Sequence, residues 1–204
     1  MKSNKILHVI TVSFVINHFF GKQFNYLAEK SGSEFHLACS PSIDLLDLSQ
    51  KLEFVPFKVE ITREISPLKD LKAIVAIYKY IKLNKIDTVV GHTPKGGMIA
   101  MIASFLAGVS NRVYFRHGIM YETSAGIKKS LFKNIERLSG FFAKKVVCVS
   151  CSVKEISEKD KLNCPDKNVI LGLGTCNGID TEDRFNPQSK SQKKIDELKR
   201  KFNI

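Results

Sequence analysis

Tryptophan is absent from this chain, and no apolar stretch in it reaches transmembrane length; the longest, Gly97–Val109, is too short to cross a bilayer. A disulfide framework is also lacking. The five cysteines, at 39, 148, 151, 164 and 176, are odd in number and irregular in spacing, which suggests reduced thiols in a cytosolic setting. Cys148 and Cys151 form a C-x-x-C, but Cys148 lies in the apolar run Val146–Val149 and no second Cys or His pair completes a zinc site. The basic, apolar start leads into His18-Phe19-Phe20 instead of a small-residue cleavage site, so a buried first strand explains it better than a signal peptide. H-E-x-x-H, G-x-S-x-G, the P-loop and D-x-D are all missing, which leaves a hydrolase triad and a metal-dependent mechanism without support. The full G-x-G-x-x-G fingerprint is missing as well, so no dinucleotide cofactor is expected.

Acidic residues are scarce relative to basic ones: 20 Asp and Glu face 32 Lys and Arg, a formal charge of +12. Such a field suits anionic partners (nucleic acid, acidic lipid, phosphorylated small molecules) and also serves solubility. Aromatics interleaved with arginine, the mark of a nucleic-acid surface, are not found, so nucleic acid is not an expected partner. What is present is ample core material: 204 residues, 44% hydrophobic, with 14 phenylalanines.

Apolar runs of strand length alternate with segments of helical period. Strands are predicted at Ile6–Thr11, Phe35–Cys39, Phe54–Val59, Thr88–Gly91, Arg112–Phe115, Val146–Ser150 and around Val169–Leu171. Helices are predicted at Gly21–Lys30, Pro67–Leu83, Pro94–Ala107, Ile127–Phe142 and Ser152–Lys161. In Pro67–Leu83 the apolar residues at 68, 71, 74, 75, 78 and 81 define the expected buried face. Repeated β-α alternation with continuous apolar strands predicts a Rossmann-like, doubly wound parallel sheet with helices on both faces. This domain is assigned residues 1–187. Residues 188–204 turn polar and end in a short basic helix, Ile195–Phe202, read as a linker towards a further domain.

In such a sheet, ligands bind outside the carboxyl ends of the strands. Three loops at that edge stand out. The first carries Asn17, His18 and Gly21; glycine at a helix start lets amides approach a phosphate, or simply eases a turn. The second is His92-Thr93-Pro94-Lys95-Gly96-Gly97. Thr93 suits an N-cap, and Lys95 with the glycines suits a diphosphate at the positive helix end, or else a well-capped helix with an exposed lysine. His92 reads equally well as a structural histidine. The third is Arg116-His117-Gly118, followed by Glu122 and Thr123. A histidine at a strand's carboxyl end beside a glycine is well placed for polar catalysis, although a lone histidine is more often structural.

Between Ile127 and Lys145, Ile127, Leu131, Ile135, Leu138 and Phe142 fall on one helical face, and Lys128, Lys129, Lys133, Arg137, Lys144 and Lys145 accompany a single acid, Glu136. This reads either as an amphipathic basic helix resting on anionic lipid or as an ordinary packed helix with a solvated face.

The segments HFFGKQFNYLAEKSGSEFHLACSP, REISPLKDLKAI, GHTPKGGMIAMIASFLAGV, VYFRHGIMYETSAGIKKSL and LGLGTCNGIDTEDRFNP, in this order, resemble glycosyltransferase family 4, in its capsular and extracellular polysaccharide branch. The resemblance implies the amino-terminal, acceptor-side half of a two-domain enzyme. Such an enzyme is retaining and needs no metal. It takes a sugar from a nucleotide-sugar held mainly by the other domain and passes it to a lipid-diphosphate-linked glycan at the cytoplasmic face of the membrane. The resemblance maps His117 onto the family's active-site histidine, Gly21 onto the loop near the donor diphosphate, and Asn177 and Asp180 onto the segment turning towards the second domain. Thr93, Lys95, Gly96, Arg116, Gly118, Glu122 and Thr123 are expected to line the cleft. Arg116 departs from the family, which more often places a hydrophobic residue there. Residues 1–204 alone are expected to be inactive. The alternative is a non-catalytic basic module that binds anionic lipid or nucleic acid.

Overall fold

Seven short strands rich in Val, Ile, Leu and Phe carry continuous apolar character, the pattern of strands buried on both faces. The computed structural model describes residues 4–203 apart from 22, 65, 177, 180, 183, 184, 187, 189 and 190, and of His18 and Lys193 the backbone only. The strands β1 (Lys5–Val9), β2 (Glu34–Cys39), β3 (Val55–Lys58), β4 (Thr88–His92), β5 (Asn111–Arg116), β6 (Lys145–Cys148) and β7 (Asn168–Val169) form one parallel sheet in the order β3-β2-β1-β4-β5-β6-β7. The chain winds outward from β1 to β3, then returns to place β4 on the other side of β1. The switch point therefore lies between β1 and β4, and a crevice opens above their carboxyl ends.

Side-chain alternation divides the core in two. Leu7, Val9, Val89, Tyr114 and Val146 pack towards α4 (Pro67–Asn84), α5 (Pro94–Leu106), α6 (Gly126–Phe142) and α7 (Cys151–Lys159). Ile10, Phe35, Leu37 and Cys39 face α1 (Ile16–Phe19), α2 (Gln23–Ser31) and α3 (Leu45–Leu52), where Phe20, Phe24 and Leu45 are fully buried. The two short helices α1 and α3 are additions to the expected series. Leu45, Ser49 and Leu52 recur at helical spacing in α3, and the eight-residue length hides that period inside a loop-like stretch.

α4 begins with Pro67 in its first turn and stops at Lys85 in the left-handed region (φ 55°, ψ 51°). Its buried stripe is Asp70, Ala73, Ile77 and Ile81, whereas Leu68, Leu71 and Val75, expected inside, are exposed. Small Ala73 lets the helix lie close to the sheet, and Asp70 has an ion-pair partner in the core that turns this stripe inward. The final helix, α8 (Gln192–Phe202), leaves Leu198 and Phe202 exposed. Among the described residues, no helix is long and apolar enough to cross a membrane.

Candidate functional site at the carboxyl edge of the sheet

Chain segments leaving β1, β4 and β5 meet at the switch point. Thr11, just past β1, shares a hydrogen bond with Thr93, just past β4 (Oγ1–Oγ1 2.7 Å). Thr93 holds φ 63° and ψ 152°, a region that a β-branched residue seldom occupies, and its hydroxyl caps α5 by accepting from the Gly96 amide (3.3 Å). Such a conformation persists only where surrounding contacts over-determine it.

The phosphate cradle expected at the start of α5 is largely occupied from within. The Gly96 amide goes to the Thr93 hydroxyl and the Gly97 amide to the Thr93 carbonyl (2.8 Å). Both glycines are buried for packing. A Cβ on Gly96 would stand 2.9 Å from Thr93 Oγ1 and 3.3 Å from the Ile10 backbone, and one on Gly97 would run into the Tyr114 ring. Lys95 is not an exposed cation: it is 6% exposed, its ammonium lies 2.9 Å from Asp70 Oδ1, and it also donates to the Glu64 carbonyl. Its charge is thus neutralised inside the fold.

Arg116 also departs from its expected place in the cleft. As the last β5 residue it points to the face opposite His117 and is fully buried. There Nε donates to Glu136 Oε2 (2.8 Å), and Nη1 donates to Ser157 and to Asn163 Oδ1 (3.0 Å). Tyr114 donates to the same carboxylate at 3.0 Å. Burial pushes the Glu136 carboxyl above its ordinary range, against the opposing pull of Arg116 and Tyr114. The arginine is a buried anchor for α6 and α7.

His117 is half-buried at the rim. Its ring lies parallel to Phe19 (centroids 4.0 Å, 6°) and stacks at 5.3 Å on Phe115. Its Nε2 is hydrogen-bonded to His92 Nδ1 (3.0 Å), and His92 Nε2 to His8 Nδ1 (3.0 Å), so three imidazoles run in file from rim to core. Burial lowers all three basicities: His117 to about 4, His8 to about 3, and His92 well below the ordinary 6.5, where both neighbouring imidazoles add to the effect. At neutral pH each ring is uncharged. The rings form a line instead of converging, and among the described residues no three His, Cys, Asp or Glu side chains are grouped to hold a metal.

His117 opens on a cavity of about 340 Å³ lined by Phe19, Thr93, Pro94, Tyr114, Gly118, Ile119 and Met120. A more enclosed cavity of about 270 Å³ shares Thr93, Pro94 and Met120 and extends past Thr11, Val12, Val15, Arg63, Lys95, Phe132 and Ile135. Of the first loop, Phe19 lines the site. Asn17 is exposed, and Gly21 (φ 50°) closes α1, its amide reaching the Ile16 carbonyl at 3.4 Å, instead of opening α2. The His18 side chain, Asn177 and Asp180 lie outside the described residues. Glu122 and Thr123 are exposed on the turn Met120–Thr123 and belong to neither lining.

Sequence reasoning missed Phe19, Met120 and His8, and left the role of His92 open. A histidine inside the apolar run KILHV was the available clue for His8. On α6, Lys128 and Lys129 are exposed, Lys133 pairs with Asp160 (3.1 Å), and Arg137 donates to the Asp160 carbonyl (3.3 Å). The expected apolar face is only partly covered: Ile135 is buried, while Ile127 is 89% exposed and Leu131 and Leu138 remain at the surface.

A doubly wound parallel sheet with a polar rim at its switch point defines the class, a Rossmann-like α/β domain. Residues 5–150 match the glycosyl transferase 4-like family, and the chain belongs to it. It is 29% identical over 198 residues to the capsular polysaccharide biosynthesis glycosyltransferase CapM of Staphylococcus aureus, covering 97% of this chain and 51% of that protein. It is 33% identical over 158 residues to the UDP-Gal:alpha-D-GlcNAc-diphosphoundecaprenol alpha-1,3-galactosyltransferase of Escherichia coli, covering 76% of this chain and 39% of the relative. The chain thus spans about half or less of the length of these relatives. Among solved structures it is similar to a glycosyltransferase from Rickettsia africae, with a TM-score of 0.69 and 19% identity, over 100% of this chain and 50% of the other.

Proposed function

We propose that residues 1–187 form the acceptor-side half of a retaining glycosyltransferase and that 188–204 lead towards a donor-binding half. The enzyme moves a sugar from a nucleotide-sugar to a lipid-diphosphate-linked glycan during capsular or surface polysaccharide synthesis. One observation carries this reading: the uncharged His117 imidazole opens on a cavity at the switch point, on a chain of the glycosyl transferase 4-like family. Nε2 is engaged by His92, so Nδ1 is the ring's remaining polar atom. A neutral ring there orients a sugar hydroxyl and stabilises developing charge as a dipole, without supplying a full positive charge. No metal takes part in this scheme.

The adjoining cavity is mostly apolar, which suits an apolar part of a lipid-linked acceptor, and exposed Arg63 at its border is the cation available to the diphosphate. Exposed Ile127 and Met120, flanked by Lys128 and Lys129, give the same region a surface for anionic headgroups, consistent with a peripheral protein at the cytoplasmic face. Titration with a short-chain polyprenyl-diphosphate-linked N-acetylglucosamine is expected to shift the backbone resonances of Phe19, Thr93, His117 and Met120. Residues 1–204 mixed with acceptor and nucleotide-sugar are expected to give little or no product. Shifts confined to other surfaces, or efficient transfer by these residues alone, would overturn the assignment.

A further inference from the structure

Three neutral imidazoles joined by two hydrogen bonds do not have independent tautomers, because each bond needs one N–H and one bare nitrogen. Suppose His92 carries its proton on Nδ1. It then donates to His117 Nε2, which must be bare, so His117 is protonated on Nδ1; His92 Nε2 accepts, so His8 is protonated on Nδ1 too. Suppose instead that His92 carries its proton on Nε2. It then donates to a bare His8 Nδ1 and accepts from His117 Nε2–H. The file therefore has two self-consistent states, in which all three rings share one tautomer. Any mixture breaks a buried hydrogen bond, and such losses are costly away from water.

We propose that His92 and His8 are positioning residues, which fix the tautomer and ring orientation of His117 and so set whether its Nδ1 meets a ligand as donor or as acceptor. The assignment rests on three geometric facts. Both contacts are 3.0 Å. His8 and His92 are 8% and 2% exposed, so water does not compete for their nitrogens. Phenyl rings hold all three members: Phe20 and Phe24 stand edge-on to His8 (5.1 and 5.0 Å), Phe20 meets His92 at 4.9 Å, and Phe19 covers His117. β1, β4 and the segment after β5 each contribute one ring, so the file also ties the switch point together. Burial keeps the rings unprotonated, which is the condition for the two-state argument; a proton added to His92 would make it donate on both sides and end the alternation.

This inference rests on the reading of His117 as a ligand-facing group, but its test does not require that reading to succeed. Long-range proton–nitrogen correlation spectra of the ¹⁵N-histidine-labelled chain report the tautomer of every imidazole. The expected result between pH 6 and 8 is one shared tautomer balance, the same in His8, His92 and His117. In His8→Phe and in His92→Phe, the tautomer balance of His117 is expected to shift away from the wild-type value. Different tautomers among the three rings in the wild type, or an unchanged His117 signature in both variants, would overturn the proposal. The wild-type spectrum keeps it testable should a variant fail to fold. Failure of the acceptor titration with an intact shared tautomer would instead count against the functional reading alone.

Discussion

At the residue scale, two residues of the loops that were expected to form the site, Gly97 and Arg116, decide more about stability than about chemistry. Gly97 lies against the Tyr114 ring, so Gly97→Ala forces a shift of α5 or of the tyrosine and is expected to cost about 1–3 kcal/mol in urea unfolding. Arg116 is joined to Glu136 with both partners essentially removed from water. Arg116→Met strands a buried carboxylate and is expected to lose about 3–5 kcal/mol, whereas also replacing Glu136 with Leu is expected to recover much of it, as read from a double-mutant cycle. A strand-end arginine beside a histidine has the same appearance in a sequence whether it lines a cleft or anchors a core. Strand alternation and the position of α6 made the choice here.

At the element scale, the order of strands and most helices was legible because their apolar periods are long and clear, as in Pro67–Asn84 and Gly126–Phe142. Which face each helix buries was less legible. α4 turns Asp70, Ala73, Ile77 and Ile81 inward instead of Leu68, Leu71 and Val75, because close approach to the sheet and the Lys95 ion pair outweigh the larger apolar side chains. α6 leaves Ile127 outside beside Lys128 and Lys129. The double variant Lys128→Glu, Lys129→Glu is therefore expected to abolish most co-flotation with anionic vesicles while changing stability by less than about 0.5 kcal/mol. Equal flotation of variant and wild type would remove α6 as the membrane-facing element.

At the scale of the whole molecule, the imidazole file links folding to pH. His8 and His117 are depressed to about 3 and about 4 when folded, and an unfolded histidine titrates near 6.5. Above pH 6.5 both states are neutral and the file adds no pH dependence. Below it the unfolded chain binds protons that the folded chain refuses, so stability falls as pH drops from 6.5 towards 4, by about 1.4 kcal/mol per pH unit for each histidine. Replacing His8 with Phe is expected to flatten that slope in chemical denaturation measured across the same interval.

The sequence by itself determined the parallel α/β class, the loops that end at the switch point, and His117 as a candidate, since these follow from local periodicity and from residues adjacent in the chain. Tertiary structure alone decided that Lys95 and Arg116 are internally neutralised, that Phe19 covers His117, and that His8 and His92 extend it into the core. Those contacting partners lie between 20 and 98 positions apart in the chain, and only the lateral pairing of β1, β4 and β5 and the packing of α4, α5 and α6 on the sheet bring them within contact distance.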